Sequence, residues 1–433
     1  MNASEQNKQN QQERVIPKLR FPEFQTALGW ELDILGNLFY ERKEKGYKNL
    51  LLLSLTEQDG IIPQVETNRK NNSSLDKSKY LRVCYGDIAY NTMRMWEGRS
   101  AFVDIEGIVS PAYTICTPKN NTNSFFYSYY FKLPSLISVF YRYSQGLVKD
   151  TLNLKFDKFA QISIAVPPAL EEQQKIADCL SSLDELIKLQ EQKLAALKQH
   201  KKGLMQQLFP SHNDLQASKQ ASKQASKQAS KQASKIVYPK LRFPQFKNCE
   251  GWEVVELRDV GDFVKEKIEV INLEPQNYIS TENLLSDYGG VTASNKLPAT
   301  EKVTAYKKND ILVSNIRPYL KKVWQADKNG GASNDIIIIR AKPSINISFL
   351  SFAIKNDDFI DYMMKGAKGV KMPRGDLNLI SIFPVAVPTS PKEQQAIADC
   401  LSSLDNLINE QNERIGRLKT HKKGLMQQLF PSI

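Results

Sequence analysis

The sequence is poor in the residues on which many metal and enzyme sites depend. It contains three histidines and five cysteines, and no two cysteines form a Cys-x-x-Cys pair. Zinc sites and disulfide frameworks need closely spaced ligands or partners, so we expect no metal site and no disulfide framework. The chain also lacks an apolar run near the roughly 20 residues that a membrane helix requires. We therefore expect a cytoplasmic protein that does not contact membranes.

Motifs for chemistry on nucleotides are missing as well. The chain has no Gly-x-x-x-x-Gly-Lys-Ser/Thr loop, which argues against an ATP-driven motor. A DNA adenine methyltransferase would need a glycine-rich cofactor loop and an Asn/Asp-Pro-Pro-aromatic tetrad, but Ser-Pro-Ala-Tyr at 110–113 lacks the double proline. The Glu-x-Lys triplet at 191–193 lacks the upstream Pro-Asp of nucleases. We predict a binding protein with no catalytic residues of its own.

What the sequence has in excess is positive charge. Its 433 residues include 59 Lys and Arg against 47 Asp and Glu, a formal net charge of +12. Hydrophobic residues still make up 41% of the chain, which is enough to build the cores of two or three domains. A basic globular protein most simply binds a polyanion, although surplus positive charge also serves solubility.

The sequence repeats itself with a period of about half its length. PKLRFPEF from Pro17 recurs as PKLRFPQF from Pro239, an offset of 222, and a Gly-Trp pair follows both copies. EQQKIADCLSSLD from Glu172 recurs as EQQAIADCLSSLD from Glu393, an offset of 221, and HKKGLMQQLFPS also occurs twice. The segments between these shared ends differ strongly. The pattern predicts one scaffold that presents two different surfaces.

Each copy ends in a segment with the pattern of a coiled-coil helix. Apolar residues recur at alternating steps of four and three, and both series have polar residues at the same two places. Each helix of about 40 residues would be about 60 Å long. Two matched seams in one chain can bury each other, although an ordinary amphipathic helix packed on its own domain has a similar pattern. The predicted seam consists of Ile176, Leu180, Leu183, Ile187, Leu194, Leu197, Ile397, Leu401, Leu404, Ile408, Ile415 and Leu418.

The segments before the helices contain short β-branched runs interrupted by Gly, Pro and Asn. This is typical of compact mixed α/β (α+β) domains. Between the copies the tetrapeptide ASKQ occurs four times in succession, which we interpret as a hydrophilic spacer. The predicted division is a flexible N-terminus (1–16), a first domain (17–168), a first helix (169–210), the ASKQ linker (211–238), a second domain (239–389) and a second helix (390–433).

Basic and polar side chains interleaved with aromatic ones make the divergent segments candidates for DNA contact. Arg and Asn suit bidentate contacts with guanine and adenine edges, whereas Lys mostly contacts phosphates. A solvated surface charge explains any single one of them equally well. The candidates in the first copy are Arg69, Lys70, Lys77, Lys79, Asn91, Arg94, Trp96, Arg99, Arg142 and Lys149, and those in the second are Asn315, Arg317, Tyr319, Lys321, Lys322, Lys365, Lys368, Lys371 and Arg374.

Taken together, these motifs resemble the specificity subunit of type I restriction-modification systems. The resemblance covers nearly the whole chain and rests on the order and duplication of P-K-L-R-F-P-x-F, Gly-Trp, Val-Pro, E-Q-Q-x-I-A-D-C-L-S-S-L-D and K-K-G-L-M-Q-Q-L-F-P. It implies two target-recognition domains, each reading one half of a bipartite DNA site, and an antiparallel coiled coil that separates them and docks two methyltransferase subunits. It also implies that S-adenosylmethionine belongs to those subunits, and that ATP and Mg belong to restriction subunits.

The resemblance makes the ASKQ tract a candidate ruler for the distance between the half-sites. Each added copy would lengthen the tract by about 6 Å as a helix or by about 13 Å as an extended chain. Two alternatives stay open from the residues alone. One is a basic coiled-coil scaffold or adaptor without sequence-dependent DNA binding, and the other is a divergent DNA methyltransferase or nuclease.

Overall fold

The structure is a computed structural model, and it describes residues 14–56, 60–67, 76–211, 214–215 and 236–431. Most of the predicted flexible N-terminus, Arg69, Lys70 and the ASKQ tract lie outside the described residues. Within them, every helix is too short or too polar to cross a lipid bilayer.

The chain divides into two compact units, each of which is built from both copies of the repeat. The first unit comprises Met1–Glu191 and Glu413–Ile433, and the second comprises Gln192–Asn412. Each unit therefore contains one divergent domain, the beginning of the helix that follows it, and the end of the helix from the other copy.

The first unit places short strands and helices before its long helix. Its strands are β1 (Glu31–Ile34), β2 (Phe39–Glu41), β3 (Leu53–Leu55), β4 (Ile61–Pro63), β5 (Leu81–Val83), β6 (Ile88–Asn91), β7 (Ser100–Phe102), β8 (Gly107–Val109), β9 (Tyr113–Pro118) and β10 (Ser163–Val166). Its helices are α1 (Leu35–Leu38), α2 (Ser124–Tyr130), α3 (Pro134–Tyr143), α4 (Phe156–Phe159) and the beginning of α5 (Leu170–Leu208). The central antiparallel sheet has the order β2-β9-β6-β7, and β1-β10, β3-β4 and β5-β8 form separate pairs.

The second unit repeats the order of the central sheet. Its strands are β11 (Ile236–Val237), β12 (Trp252–Glu256), β13 (Gly261–Phe263), β14 (Lys267–Glu269), β15 (Tyr278–Ile279), β16 (Lys302–Tyr306), β17 (Ile311–Ser314), β18 (Val323–Gln325), β19 (Gly330–Ala332), β20 (Ile336–Ala341) and β21 (Pro384–Val387). Its helices are α6 (Leu257–Val260), α7 (Ile347–Ile354), α8 (Asp357–Lys365), α9 (Leu377–Ser381) and the beginning of α10 (Pro391–Leu429). The sheets have the orders β13-β20-β17-β18, β11-β12-β21 and β14-β16-β19-β15, with only β15 and β19 pairing in parallel among the described strands.

Both faces of the central sheet are covered, which explains why its strands are continuously apolar. Successive side chains of a strand point to opposite faces. In β17, Ile311 and Val313 share one core with Phe349 of α7, whereas Leu312 faces a second core that contains Trp324. The predicted class of mixed α/β domains with two long helices is confirmed.

A buried ion pair joins the two shared ends of the first copy. Arg20 donates from Nε and Nη2 to the carboxylate of Glu172, both at 2.7 Å, and Trp30 donates from Nε1 to the same carboxylate at 3.1 Å. Arg20 also donates to the carbonyls of Ala27 and Leu28 at 2.8 and 2.9 Å. The charged groups are thus paired and hydrogen-bonded, as burial of charge requires.

The second copy has the same buried ion pair. Arg242 donates to the carboxylate of Glu393 at 2.7 Å through Nε and Nη2, and Trp252 donates to it at 3.1 Å. The arginine of PKLRFP, the tryptophan of Gly-Trp and the glutamate of EQQ recur in both copies because they form this one contact.

The two glutamines of EQQ bind the first turn of a helix in the divergent domain. Gln173 accepts a hydrogen bond from the backbone N–H of Asn123 at 2.9 Å, and Gln174 accepts one from its side-chain amide at 2.6 Å. Asn123 is the N-cap of α2. Asn346, the N-cap of α7, makes the same two bonds with the second copy at 2.8 and 2.7 Å. A repeated motif therefore positions the helices of domains whose sequences differ.

Each core is closed by the end of the helix from the other copy. Phe430, which follows α10, packs on Tyr130 and Trp30 of the first unit with ring centroids 4.8 and 6.2 Å apart. Phe209, which follows α5, packs on Trp252 of the second unit at 6.2 Å. The repeated Leu-Phe-Pro sequence thus completes the core of the domain in the opposite copy.

The helix segments of the first unit run antiparallel. Asp184 pairs with Lys422 at 2.5 Å and Glu191 pairs with Lys419 at 2.7 Å, so residue numbers rise along one helix as they fall along the other. All residues of the predicted seam are buried or half-buried. Their spacing of four and three residues keeps them on one helical face.

Candidate DNA interface

The turn after β6 contains four of the predicted residues of the first domain. Asn91 ends β6, and its side-chain oxygen accepts a hydrogen bond from the backbone N–H of Met93 at 3.0 Å. Trp96 is half-buried and donates from Nε1 to the carbonyl of Met93 at 2.9 Å. These bonds fix the 3-10 turn Met95–Glu97, which connects β6 to β7.

Two arginines of this turn share one carboxylate. Arg94 donates to Glu97 at 3.1 Å and Arg99 donates to its other carboxylate oxygen at 3.0 Å. Such partly exposed pairs contribute little to stability, but they restrain the orientation of both guanidinium groups. The group retains a net positive charge, since two cations face one anion.

An open groove of about 560 Å³ lies beside Trp96. Ser135, Ser138, Tyr141 and Arg142 of α3 also line it, and the rings of Trp96 and Tyr141 meet edge to face with centroids 6.2 Å apart. The structure therefore brings Arg142 of α3 next to the Trp96 turn. The two serines and Arg142 are spaced by three and four residues, a helical pattern that would have identified this polar face of α3.

The remaining described candidates of the first domain are lysines in exposed loops. The ammonium of Lys77 lies over the ring of Tyr80, 4.6 Å from its centroid, and Lys79 is exposed just before β5. Lys149 is exposed in the 3-10 turn Lys149–Thr151. The structure does not bring Lys149 and Arg142 into a direct contact.

In the second domain, Arg317 has a strained backbone. Its φ and ψ are 51° and 60°, and Lys321 has a φ of 54°, so left-handed residues flank the 3-10 turn Pro318–Leu320 on both sides. This conformation costs a non-glycine residue about 1–3 kcal/mol and is concentrated at functional sites. The N–H of Arg317 donates to the carbonyl of Pro373 at 2.8 Å, while its side chain is exposed.

Two of the predicted lysines make internal contacts. Lys321 donates to the carboxylate of Asp357 at 2.7 Å, and Lys322 donates to the carbonyl of Thr281 at 2.6 Å. Burial opposes ionisation of Asp357, but the hydrogen bond and positive charge of Lys321 hold its pKa below the ordinary value. Both lysines therefore fasten the loop, whereas Tyr319 is 49% exposed and available to a ligand.

Asn315 lies beneath this surface. It is 7% exposed, and its side-chain oxygen has no hydrogen-bond partner among the described residues. Its backbone N–H donates to the carbonyl of Asp335 at 2.8 Å, and its own carbonyl accepts from the N–H of Gly375 at 3.2 Å. Asn315 therefore supports the turn of Arg317 from within.

A basic loop follows α8 and lies next to Arg317. Lys368 and Arg374 exchange two backbone hydrogen bonds of 3.0 and 2.9 Å, which close the loop 368–374. Lys365, Lys368 and Lys371 are exposed, and Arg374 pairs with Asp335. Pro373, the acceptor for the Arg317 amide, belongs to this loop. The structure thus joins Arg317 to a loop that lies more than 50 residues further along the sequence.

Comparison with known proteins places this arrangement in a family. The model of the type I restriction modification DNA specificity domain matches the chain twice, at residues 29–199 and 249–418. A curated relative, the type I restriction enzyme MjaVIII specificity subunit of Methanocaldococcus jannaschii, is 24% identical over 95% of this chain and 93% of its own length.

Two solved structures share the fold. The S subunit of a type I restriction-modification system from M. genitalium superposes with a TM-score of 0.55 at 15% identity, covering 97% of this chain and all 100% of that chain. A structure on complex assembly and conformational transition of the type I R-M system has a TM-score of 0.52 at 14% identity, covering 93% and 98%. Since the family model matches both copies of the repeat, the chain belongs to the type I restriction-modification DNA specificity family.

Proposed function

We propose that the first domain reads one half of a bipartite DNA site through the Trp96 turn and the groove of α3, and that the second domain reads the other half through Arg317 and the loop 368–374. One observation carries this assignment. Arg94 and Arg317 stand at the N-caps of 3-10 turns that follow equivalent strands of the two central sheets. The same scaffold therefore presents an arginine at the same place in two otherwise different surfaces.

The chemistry of the two surfaces supports recognition of different base sequences. The first combines Trp96, Tyr141 and Arg142 with serine hydroxyls, and the second combines Arg317 with Tyr319 and a run of lysines. Arginine suits the acceptor pair of guanine, hydroxyls suit several edges, and lysines suit phosphates. Because the donor sets differ, the two half-sites are expected to differ.

The two helices are the proposed docking surface for two methyltransferase subunits. Leu189 of α5 and Leu407 of α10 lie outside the seam and are 53% and 48% exposed. In this proposal the partner subunits pack against these exposed leucines. In this proposal S-adenosylmethionine is bound by the methyltransferase subunits, and ATP and Mg by restriction subunits that join the complex.

The first experiment is to co-express the chain with its methyltransferase subunit and to map methylated adenines across the host DNA. We expect methylation at one split motif that disappears when this chain is omitted. Methylation that persists without the chain, or that never appears with an active partner, would contradict the proposal. Exchange of residues 17–168 for those of another such subunit should change one half of the motif only.

Arg317→Ala tests the assignment of the second half-site. Loss of a base-contacting arginine should weaken recognition of that half by about 1–3 kcal/mol and leave the first half unchanged. Arg258→Ala is the control, because Arg258 is an exposed arginine of the same unit that follows the scaffold strand β12. Equal methylation by the Arg317 variant and the control would show that Arg317 does not contact the DNA.

A further inference from the structure

Two loops carry the most exposed large apolar side chains of the described residues. Leu147 is 101% and Val370 is 104% exposed. Each follows a glycine with positive φ, Gly146 at 154° and Gly369 at 99°, which turns the chain at the tip of its loop. Each aliphatic side chain thus projects from the protein without packing on it.

The two loops have the same construction. Gln145 and Asn153 exchange backbone hydrogen bonds of 2.8 and 2.9 Å, as Lys368 and Arg374 do at 3.0 and 2.9 Å. Each loop therefore has a fixed base and a short protruding tip. Val370 follows Leu147 by 223 residues, the same offset that separates Arg317 from Arg94.

An exposed aliphatic side chain occurs at the same place in both divergent segments. This recurrence indicates a function, which a single exposed aliphatic residue would not. Surface leucines and valines are ordinary one by one. Here, however, the divergent domains retain an aliphatic tip while most of the other residues around it change. Exposed lysines stand beside both tips: Lys149 in the first loop, where the exposed Asp150 follows it, and Lys368 and Lys371 in the second.

An exposed lysine beside an apolar tip fits one partner, double-stranded DNA. Lysines at the base of a loop suit the phosphates on either side of a groove. Between those phosphates an aliphatic side chain meets two apolar surfaces, the methyl groups of thymines and the stacked faces of base pairs, and aliphatic wedges reach the second by partly unstacking a step. The second loop also holds Pro373, which accepts the hydrogen bond from the Arg317 amide, so its tip belongs to the proposed reading surface.

We propose that Leu147 and Val370 act as wedges, each of which inserts at one base step of the half-site read by its own domain and unstacks it. The inference rests on the proposed function, because it requires that both domains face DNA. It adds that recognition includes the deformability of one step in each half-site, independently of hydrogen bonds to base edges.

The test uses the complex of the full chain with its methyltransferase subunits on a duplex that carries the mapped site. 2-Aminopurine is placed at successive positions in each half-site, and its fluorescence reports unstacking. Extrusion of the methylated adenine by the methyltransferase subunits also raises the signal, so we expect a second rise on binding, at one other step in each half. Val370→Ser should abolish the rise in the second half only, and Leu147→Ser in the first half only. Both side chains are fully exposed, so the substitutions should leave thermal unfolding unchanged.

Matched controls and a second substrate separate the possible outcomes. Val65→Ser and Ile271→Ser change aliphatics that are 86% and 88% exposed outside the two loops, and both variants should keep the signal. Specific binding with a rise only at the methylated adenines would overturn the wedge and leave the proposed function intact. Loss of affinity on replacing thymine by uracil, again without unstacking, would overturn it in favour of contact with the thymine methyl group. Failure of the parent complex to bind the site would instead refute the proposed function.

Discussion

The repeated ends and the divergent middles of the two copies obey different constraints. At the ends, Arg20 and Arg242 meet their glutamates at the same 2.7 Å, and both contacts are buried. In the middles, Lys132 donates to the carbonyls of Gly98 and Ser100 at 2.7 and 2.5 Å, whereas its counterpart Lys355 lies against an aromatic ring. The shared ends therefore keep the same contacts in both copies, whereas in the middles even the same residue type makes different contacts.

This difference explains how one scaffold serves two recognition surfaces. The shared residues fix where the helices and the central sheet stand, through contacts that do not involve the exposed turns. A turn such as 95–97 or 318–320 then changes its side chains without disturbing those contacts. Variants of the shared contacts should therefore act on stability, and variants of the turns on DNA recognition.

The largest effect is expected from Glu172→Ala. It leaves the guanidinium of Arg20 buried without its carboxylate, which typically costs about 3–5 kcal/mol. Hydrogen exchange of the amides in the first unit measures the loss. Glu185→Ala on the exposed face of the same helix is the control and should change little. A loss below about 1 kcal/mol for Glu172→Ala would mean that the ion pair does not hold the shared ends together.

Phe430→Ala should act on the domain of the other copy. The ring is 2% exposed and packs on the first core, so its removal leaves a cavity that costs about 3–5 kcal/mol. We expect faster hydrogen exchange in the first unit and unchanged exchange in the second. Phe209→Ala is the mirror variant and should give the opposite pattern. If either variant affected both units equally, the end of each long helix would not belong to the core of the other copy's domain.

Much of this architecture follows from sequence pattern alone. The long helices and the mixed α/β domains were predictable because apolar periodicity is a local signal. The two-copy organisation was predictable because the repeated motifs can be read directly from the sequence. Family membership confirms the prediction of a DNA specificity subunit. The contact of Arg20 with Glu172 was missed, since 152 residues separate them. An arginine and a glutamate kept in both copies, one in each repeated motif, were the available signal.

The candidate interface was less accessible to prediction. Nothing in the sequence of Lys321 and Lys322 distinguishes them from Lys371, yet the first two make internal contacts and the third is exposed. Which cations reach the surface depends on where Asp357 and the carbonyl of Thr281 fall after folding. The assignment of single residues to DNA contacts remains a prediction.

The next largest effect is a dependence of stability on pH in the second unit. Burial lowers the pKa of Lys355 to about 8, the positive charge of Lys201 acts in the same direction, and the negative charge of Asp405 opposes it. An unfolded lysine has a pKa of about 10.4. Between these values the unfolded chain binds more protons than the folded one, so stability rises with pH.

We expect a gain of about 1–3 kcal/mol between pH 8 and pH 10.4 that Lys355→Met abolishes. Unfolding in urea at a series of pH values, compared between parent and variant, isolates this contribution. Lys132→Met sharpens the comparison of the two domains, because it removes two hydrogen bonds to backbone carbonyls and should destabilise at neutral pH. If the stability of the parent and of the Lys355 variant changed with pH in the same way, folding would not lower the pKa of Lys355.

The smallest effect is expected from Lys371→Ala in the exposed loop. A lysine that contacts phosphate contributes to affinity for any sequence, so the variant should bind specific and unrelated DNA more weakly by the same factor. Log affinity falls as log salt concentration rises, and the magnitude of this negative slope should decrease by about 1. Lys308→Ala, an exposed lysine of the same unit outside this loop, should leave the slope unchanged. Arg317→Ala should instead lose affinity mainly for the specific site. If Lys371→Ala altered the methylated motif itself, Lys371 would contact bases and not phosphates.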